Sequence, residues 1–229
     1  MGVVNSDLRT KGGLQSSIER GGMTMKVLLI NGSPHLNGCV GTALGIVAEE
    51  LNKQAIETET IHVGNKDIRG CIACGTCGTK GQCVFDDLVN ETLPKLAECD
   101  GMVVGSPVYY ASANGNLISF LDRLFYANHA DLTMKVGASV VSARRGGTTA
   151  TFDELNKYFT ISSMPVVSSQ YWNMVHGSSK EDVLADEEGC QIMRTLGKNM
   201  AFMIKSIALG KEKFGLPEKE EHVWTNFIR

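Results

Sequence analysis

The stretch Val27-Leu28-Leu29-Ile30-Asn31-Gly32-Ser33-Pro34 decides how the rest of the chain is read. Four large apolar residues in a row, without alternation, describe a strand buried on both faces, as in the middle of a parallel sheet. Asn31 to Pro34 then ends the strand in a turn. Beyond it Leu44, Val47, Ala48 and Leu51 recur at helical spacing. Strand, glycine-rich loop and helix in that order open a βαβ unit.

The same alternation continues along the chain. Residues 58–63 read as a short strand and 86–96 as a helix. Gly101-Met102-Val103-Val104-Gly105 is a second apolar strand, ending in Ser106-Pro107. A helix over 114–126 turns Leu117, Phe120, Leu121 and Leu124 inward. Residues 135–142 form the fourth strand, and 148–158 a further helix. Pro165-Val166-Val167 opens a fifth strand, and 181–209 reads as one continuous helix. The expected fold class is α/β, a doubly wound five-stranded parallel sheet with helices on both faces. In such sheets ligands bind beyond the carboxyl ends of the strands.

The bulk composition sets limits. The chain has 229 residues, 43% of them hydrophobic, with a formal net charge of -3. That suits one core domain with additions at its ends. It offers no support for nucleic acid or an anionic membrane as partner. No apolar run reaches the ~18–20 residues of a membrane span. Residues 1–24 are rich in Gly, Ser and Arg and lack apolar periodicity. They read as a disordered N-terminal extension ahead of a second start at Met25, with a transit peptide as the alternative. The domain is expected over 25–209. A charged arm follows over 210–229, with Phe214, Trp224 and Phe227, packing on its own domain or on a partner subunit. The chain shows no secretory signal, so a cytoplasmic location is expected and its seven cysteines should be reduced or metal-bound.

Three loops follow strand ends. The first runs from Gly32 through Ser33, His35, Gly38, Cys39, Val40 and Gly41 to Thr42. Its backbone N–H groups and the following helix N-terminus suit an anion. Ser33 and Thr42 would add hydroxyl donors. The loop has neither the P-loop lysine pattern nor G-x-G-x-x-G, so one terminal phosphate fits better than a pyrophosphate. The second loop, Pro107-Val108-Tyr109-Tyr110 with Ser112 and Asn114, offers a flat wall with polar edges for a planar heteroaromatic ring. The third, Ser142-Ala143-Arg144-Arg145-Gly146-Gly147, brings open backbone and two cations to the same rim.

Together these loops resemble the three flavin loops of flavodoxin-fold NAD(P)H-dependent FMN reductases, over roughly residues 25–176. The resemblance implies a flavodoxin-like sheet, FMN phosphate in the first loop, and isoalloxazine along 107–110 and 112–114. It also implies cover from 143–147, NAD(P)H as co-substrate, and a homodimer or homotetramer. His35, Cys39 and Val40 depart from the common G-S-P-R-x-x-G-N-T pattern. The phosphate grip then leans on Ser33, backbone N–H groups and Thr42.

Cys71-x2-Cys74-x2-Cys77-x5-Cys83 is the most specific local motif. Thiolates two residues apart on a short loop can turn onto one metal centre. The spacing is similar to that of the iron–sulfur flavoproteins, a branch of the same family, which implies a [4Fe–4S] cluster. Redox-active or free thiols and zinc stay open as alternatives. Cys99 and Cys190 read as packing thiols, Asp122-Arg123 as making structural hydrogen bonds at the end of a helix, and Met193, Met200 and Met203 as core.

No nucleophile–base constellation stands out, and flavin chemistry needs none. The expected function is transfer of electrons from a nicotinamide cofactor through FMN to a quinone, flavin or similar small acceptor. One rival is an electron carrier served by a ferredoxin-like partner. The other is a thiol redox sensor.

Overall fold

The computed structural model describes residues 24–225. Among the described residues there are five strands and seven helices. They are β1 (Lys26–Asn31), α1 (Cys39–Lys53), β2 (Glu57–His62), α2 (Thr76–Lys80), α3 (Leu88–Glu98), β3 (Gly101–Pro107) and α4 (Gly115–Ala127). There follow β4 (Val136–Ala143), α5 (Thr148–Ile161), β5 (Met174–His176), α6 (Lys180–Ala185) and α7 (Glu187–Phe214). The sheet order is β2-β1-β3-β4-β5 and every pairing is parallel.

The unbroken apolar run of β1 is explained by the two layers it separates. Val27 and Leu29 face one cluster with Leu44, Val47 and Leu51 of α1 and Met193, Leu196 and Met200 of α7. Leu28 and Ile30 face the other, with Val89 of α3, Phe120 and Leu124 of α4, and Phe159 of α5. Each of these four side chains meets a helix layer, so none of the four positions is left for a polar residue. Met193, Met200, Cys99 and Cys190 are buried as the sequence suggests, while Met203 is partly buried against the first cluster.

Several boundaries differ from the sequence reading. Val166 makes a single bridge to Gly137, and the fifth strand forms at Met174–His176 against Val141–Ala143. Pro165 has no N–H to give a ladder, and the polar residues 168–170 carry the chain away before it returns. The helix expected over 181–209 is two helices. Asp186 breaks it (φ -77, ψ 82) and caps α7 by accepting from the Gly189 N–H. Ser179 and Asp182 form a reciprocal capping box for α6. α7 also runs five residues past Leu209, to Phe214. Finally α3 starts at Leu88, because the Asp87 side chain caps it by accepting from Val89 N.

Beyond α7, Lys219 pairs with Asp131 at 2.6 Å. Apart from Thr24, the extension expected over 1–24 lies outside the described residues, as does Phe227. No described helix is long and apolar enough to cross a membrane.

Candidate functional site

In the strand order β2-β1-β3, the chain leaves β1 toward one edge of the sheet and β3 toward the other. Their carboxyl ends therefore frame the topological switch point, where a doubly wound sheet opens a crevice. All three sequence-predicted loops reach it.

The first loop is shaped from beneath by Asn31, which is 1% exposed. Its Oδ1 accepts from Ser33 N at 2.9 Å and its Nδ2 donates to Leu36 O at 3.1 Å. His62, opposite Asn31 in the β1–β2 register, places Nε2 2.8 Å from Ser33 O. Ser33 Oγ accepts from His35 N at 3.2 Å. α1 then follows with Gly38 at its N-cap, where there is no side chain to cap it. The first N–H groups of that helix, on Cys39, Val40 and Gly41, have no carbonyl within the helix to bond and face the loop.

Not every expected donor serves the loop. The Thr42 hydroxyl donates to Gly38 O at 2.9 Å, the usual back-bond of a threonine inside a helix. The Val40 side chain is core and Cys39 Sγ donates to Ser179 O at 3.4 Å. Their contribution at the loop is backbone. His35 is exposed.

In the second loop, Val108 N donates to Ser142 O at 2.9 Å. Tyr109 and Ser112 exchange backbone bonds of 2.9 and 3.1 Å around Tyr110-Ala111. Both turn residues take positive φ, +50° and +61°, a conformation that suits Asn-Gly far better than Tyr-Ala. The turn sends Tyr110 wholly into solvent while Tyr109 stays half exposed. The two rings thus do not share one wall within the chain. Glu154 Oε2 accepts from both Ser112 Oγ and Ala113 N at 2.8 Å. Asn114 is buried and donates from Nδ2 to Gly32 O at 2.7 Å. It braces the first loop against the second while capping α4.

The third loop leaves Ser142 and Ala143 buried, and Arg144, Arg145 and Gly146 exposed. Gly147 (φ +91°) lies so near the second loop that a Cβ there would fall 2.8 Å from Ala111 Cα and Val108 Cγ1. Only glycine tolerates both the conformation and the approach.

The four clustered cysteines lie apart from these loops. Cys71, Cys74, Cys77 and Cys83 line one cavity of about 430 Å³ with Ile72, Val84, Phe85, Arg123 and Tyr126. Positive φ at Ala73 (+52°) and Gly75 (+72°) folds the loop back on itself before α2. Arg123, 1% exposed, holds Asp87 through two bonds of 2.7 and 2.9 Å. Burial opposes its charge, and the bonds to Asp87 and Cys83 outweigh that opposition and raise its pKa. Among the described residues, no three His, Cys, Asp or Glu side chains converge on one metal-sized point. Four thiols on an apolar-walled hollow remain a fitting donor set for a larger iron–sulfur group.

The sequence profile described as NADPH-dependent FMN reductase matches residues 25–179. The chain belongs to that family. Within it, the chain stands close to the iron–sulfur flavoproteins. A protein of that name from Methanocaldococcus jannaschii is 35% identical over 195 residues, spanning 80% of this chain and 99% of its own. Another from Methanosarcina thermophila is 29% identical over 195 residues, spanning 82% and 100%. The fold matches a flavodoxin from the domain Archaea at a TM-score of 0.55, with 15% identity over 79% of this chain and 99% of that one. The protein is thus an FMN-binding oxidoreductase of flavodoxin-like fold.

Several residues that shape these three loops gave no local signal. Asn31 was readable only as a turn former, His62 only through its partner in the sheet, and Glu154 not at all. The cysteines also divide by environment. Cys74 is exposed, and the Thr76 hydroxyl 3.4 Å from its sulfur lowers its pKa. Burial pushes Cys99 up to about 11. In metal-free reduced protein at neutral pH, iodoacetamide is expected to label Cys74 first and Cys99 only after unfolding. Peptide mapping that finds Cys99 labelled as fast as Cys74 in the native state contradicts this assignment.

Proposed function

We propose that this protein oxidises NAD(P)H through bound FMN and passes the electrons to a quinone, a flavin or a similar small acceptor. The observation that carries the reading is the uncapped first turn of α1. It stands at the switch point, braced by Asn31, His62 and Asn114, and presents backbone N–H groups where a terminal phosphate would sit. Bound FMN supplies reversible hydride and single-electron transfer. The chain supplies position. Ser33 and the Cys39–Gly41 N–H groups would hold the phosphate, and Val108 and Tyr109 would lie along the ring. The open backbone at 144–147 would offer donors to the ring's polar edge. A homodimer or homotetramer in the cytoplasm belongs to the same reading.

Titration of apo-protein with FMN and with riboflavin tests it. FMN is expected to bind about a hundredfold tighter, because charge-assisted bonds to phosphate contribute about 1.5–3 kcal/mol each. Equal affinity would remove phosphate from the site.

The cysteine cavity favours a second reading, an iron–sulfur electron carrier served by a ferredoxin-like protein. Cys71, Cys74, Cys77 and Cys83 would be the ligands, and the similarity to iron–sulfur flavoproteins supports it. Reduction of the FMN by a reduced ferredoxin far faster than by NADPH would favour this reading.

A further inference from the structure

Arg123 is buried with all five of its N–H donors committed. Beside the two bonds to Asp87, Nη1 donates to Arg69 O at 3.1 Å and Nη2 to Phe85 O at 3.4 Å. Its guanidinium lies 5.0 Å from the centre of the Phe85 ring. The remaining donor, Nε, reaches Cys83 Sγ at 3.2 Å. Cys83 is fixed from its backbone as well. Its N–H donates to Asn90 Oδ1 at 2.8 Å and its carbonyl accepts from Asn90 Nδ2 at 3.0 Å. Cys71 and Cys74, by contrast, are exposed. One of the four thiols is therefore built into the protein, with a cation bonded to its sulfur.

We propose that Arg123 is the positioning residue of the cysteine cavity: it fixes Cys83 Sγ and, through the Nε–H···S bond, makes the iron–sulfur centre held there easier to reduce. The inference rests on the iron–sulfur reading above. Reduction adds negative charge to the ligating sulfurs, and hydrogen bonds and positive charge at those sulfurs favour the reduced form. Burial of Arg123 limits screening of that effect by water. Asp87 opposes it, because its carboxylate neutralises part of the guanidinium charge.

The test uses full-length protein reconstituted anaerobically with ferrous iron and sulfide. Dithionite titration in the presence of mediators follows the cluster by EPR and the flavin by absorbance. Arg123→Lys keeps a charge opposite Asp87 but loses the fixed planar donor at Cys83. At the wild-type midpoint, its reduced-to-oxidised ratio is expected to fall about tenfold, equivalent to about 59 mV for one electron. The flavin midpoint stays unchanged. Asp87→Asn retains a helix cap and leaves the guanidinium charge uncompensated, so the cluster midpoint moves the opposite way, to more positive potential. A merely structural role would shift both variants in the same direction. If the lysine variant does not fold, Asp87→Asn alone decides, and no positive shift overturns the proposal. An unshifted cluster in loaded Arg123→Lys overturns it while leaving the iron–sulfur reading in place. Wild-type protein that takes up neither iron nor sulfide overturns both.

Discussion

Gly41→Ala is expected to weaken FMN binding about a hundredfold, or about 2.8 kcal/mol. A Cβ at this position would sit 1.9 Å from Leu36 O, a backbone atom that cannot rotate aside. Residues 35–37 are exposed, so the loop yields and the core does not. The displaced loop pulls away from the Asn31 Nδ2–Leu36 O bond and opens the cradle at the start of α1. Gly45→Ala is the control. It lies on the same helix with nothing within 4 Å of its Cβ. It should leave FMN affinity unchanged and raise stability by about 0.5–1 kcal/mol. Fluorescence titration and thermal melts of the two variants give both answers. Equal FMN affinity in the two would refute the assignment of this loop to the phosphate.

Arg123→Ala is expected to lower stability by about 3 kcal/mol. Removing one partner of a buried ion pair leaves the other charge uncompensated. The lower end of that range applies because Asp87 is 27% exposed. The loss also frees the carbonyls of Arg69 and Phe85 and empties one face of the Phe85 ring. For a chain of this size the melting temperature should drop by about 9 °C. Arg144→Ala, on an exposed loop, should stay within about 0.5 kcal/mol of wild type. A melt of Arg123→Ala that matches Arg144→Ala would show that the Arg123 network contributes little.

The sheet was legible because β1 and β3 carry continuous apolar runs, and such runs have few other homes in a protein of this size; β4 was readable from its valines and small residues despite Ser139 and Ser142. The fifth strand was misplaced for a physical reason. Met174–His176 is three residues long and forms only because β4 is already there to pair with it, whereas Val166-Val167 is locally the better strand former. The break at Asp186 is a capping event between two amphipathic segments, and apolar periodicity does not register it. At the site, the three loops were readable from glycines, Ser-Pro steps and their position after strands. Their bracing was not. Asn114 reaches Gly32 across 82 positions and Glu154 reaches Ser112 across 42. Those contacts exist only after the strands are ordered. The outward turn of Tyr110 was equally hidden, since a Tyr-Ala pair with positive φ runs against local preference.

The most direct test of the central claim is the visible spectrum of anoxically purified protein, reconstituted with FMN if needed, before and after NADPH. A flavin spectrum at one FMN per chain is expected, bleaching within the mixing time of a manual assay. Protein that binds no FMN after reconstitution, or whose bound flavin stays oxidised with excess NADPH, would contradict it.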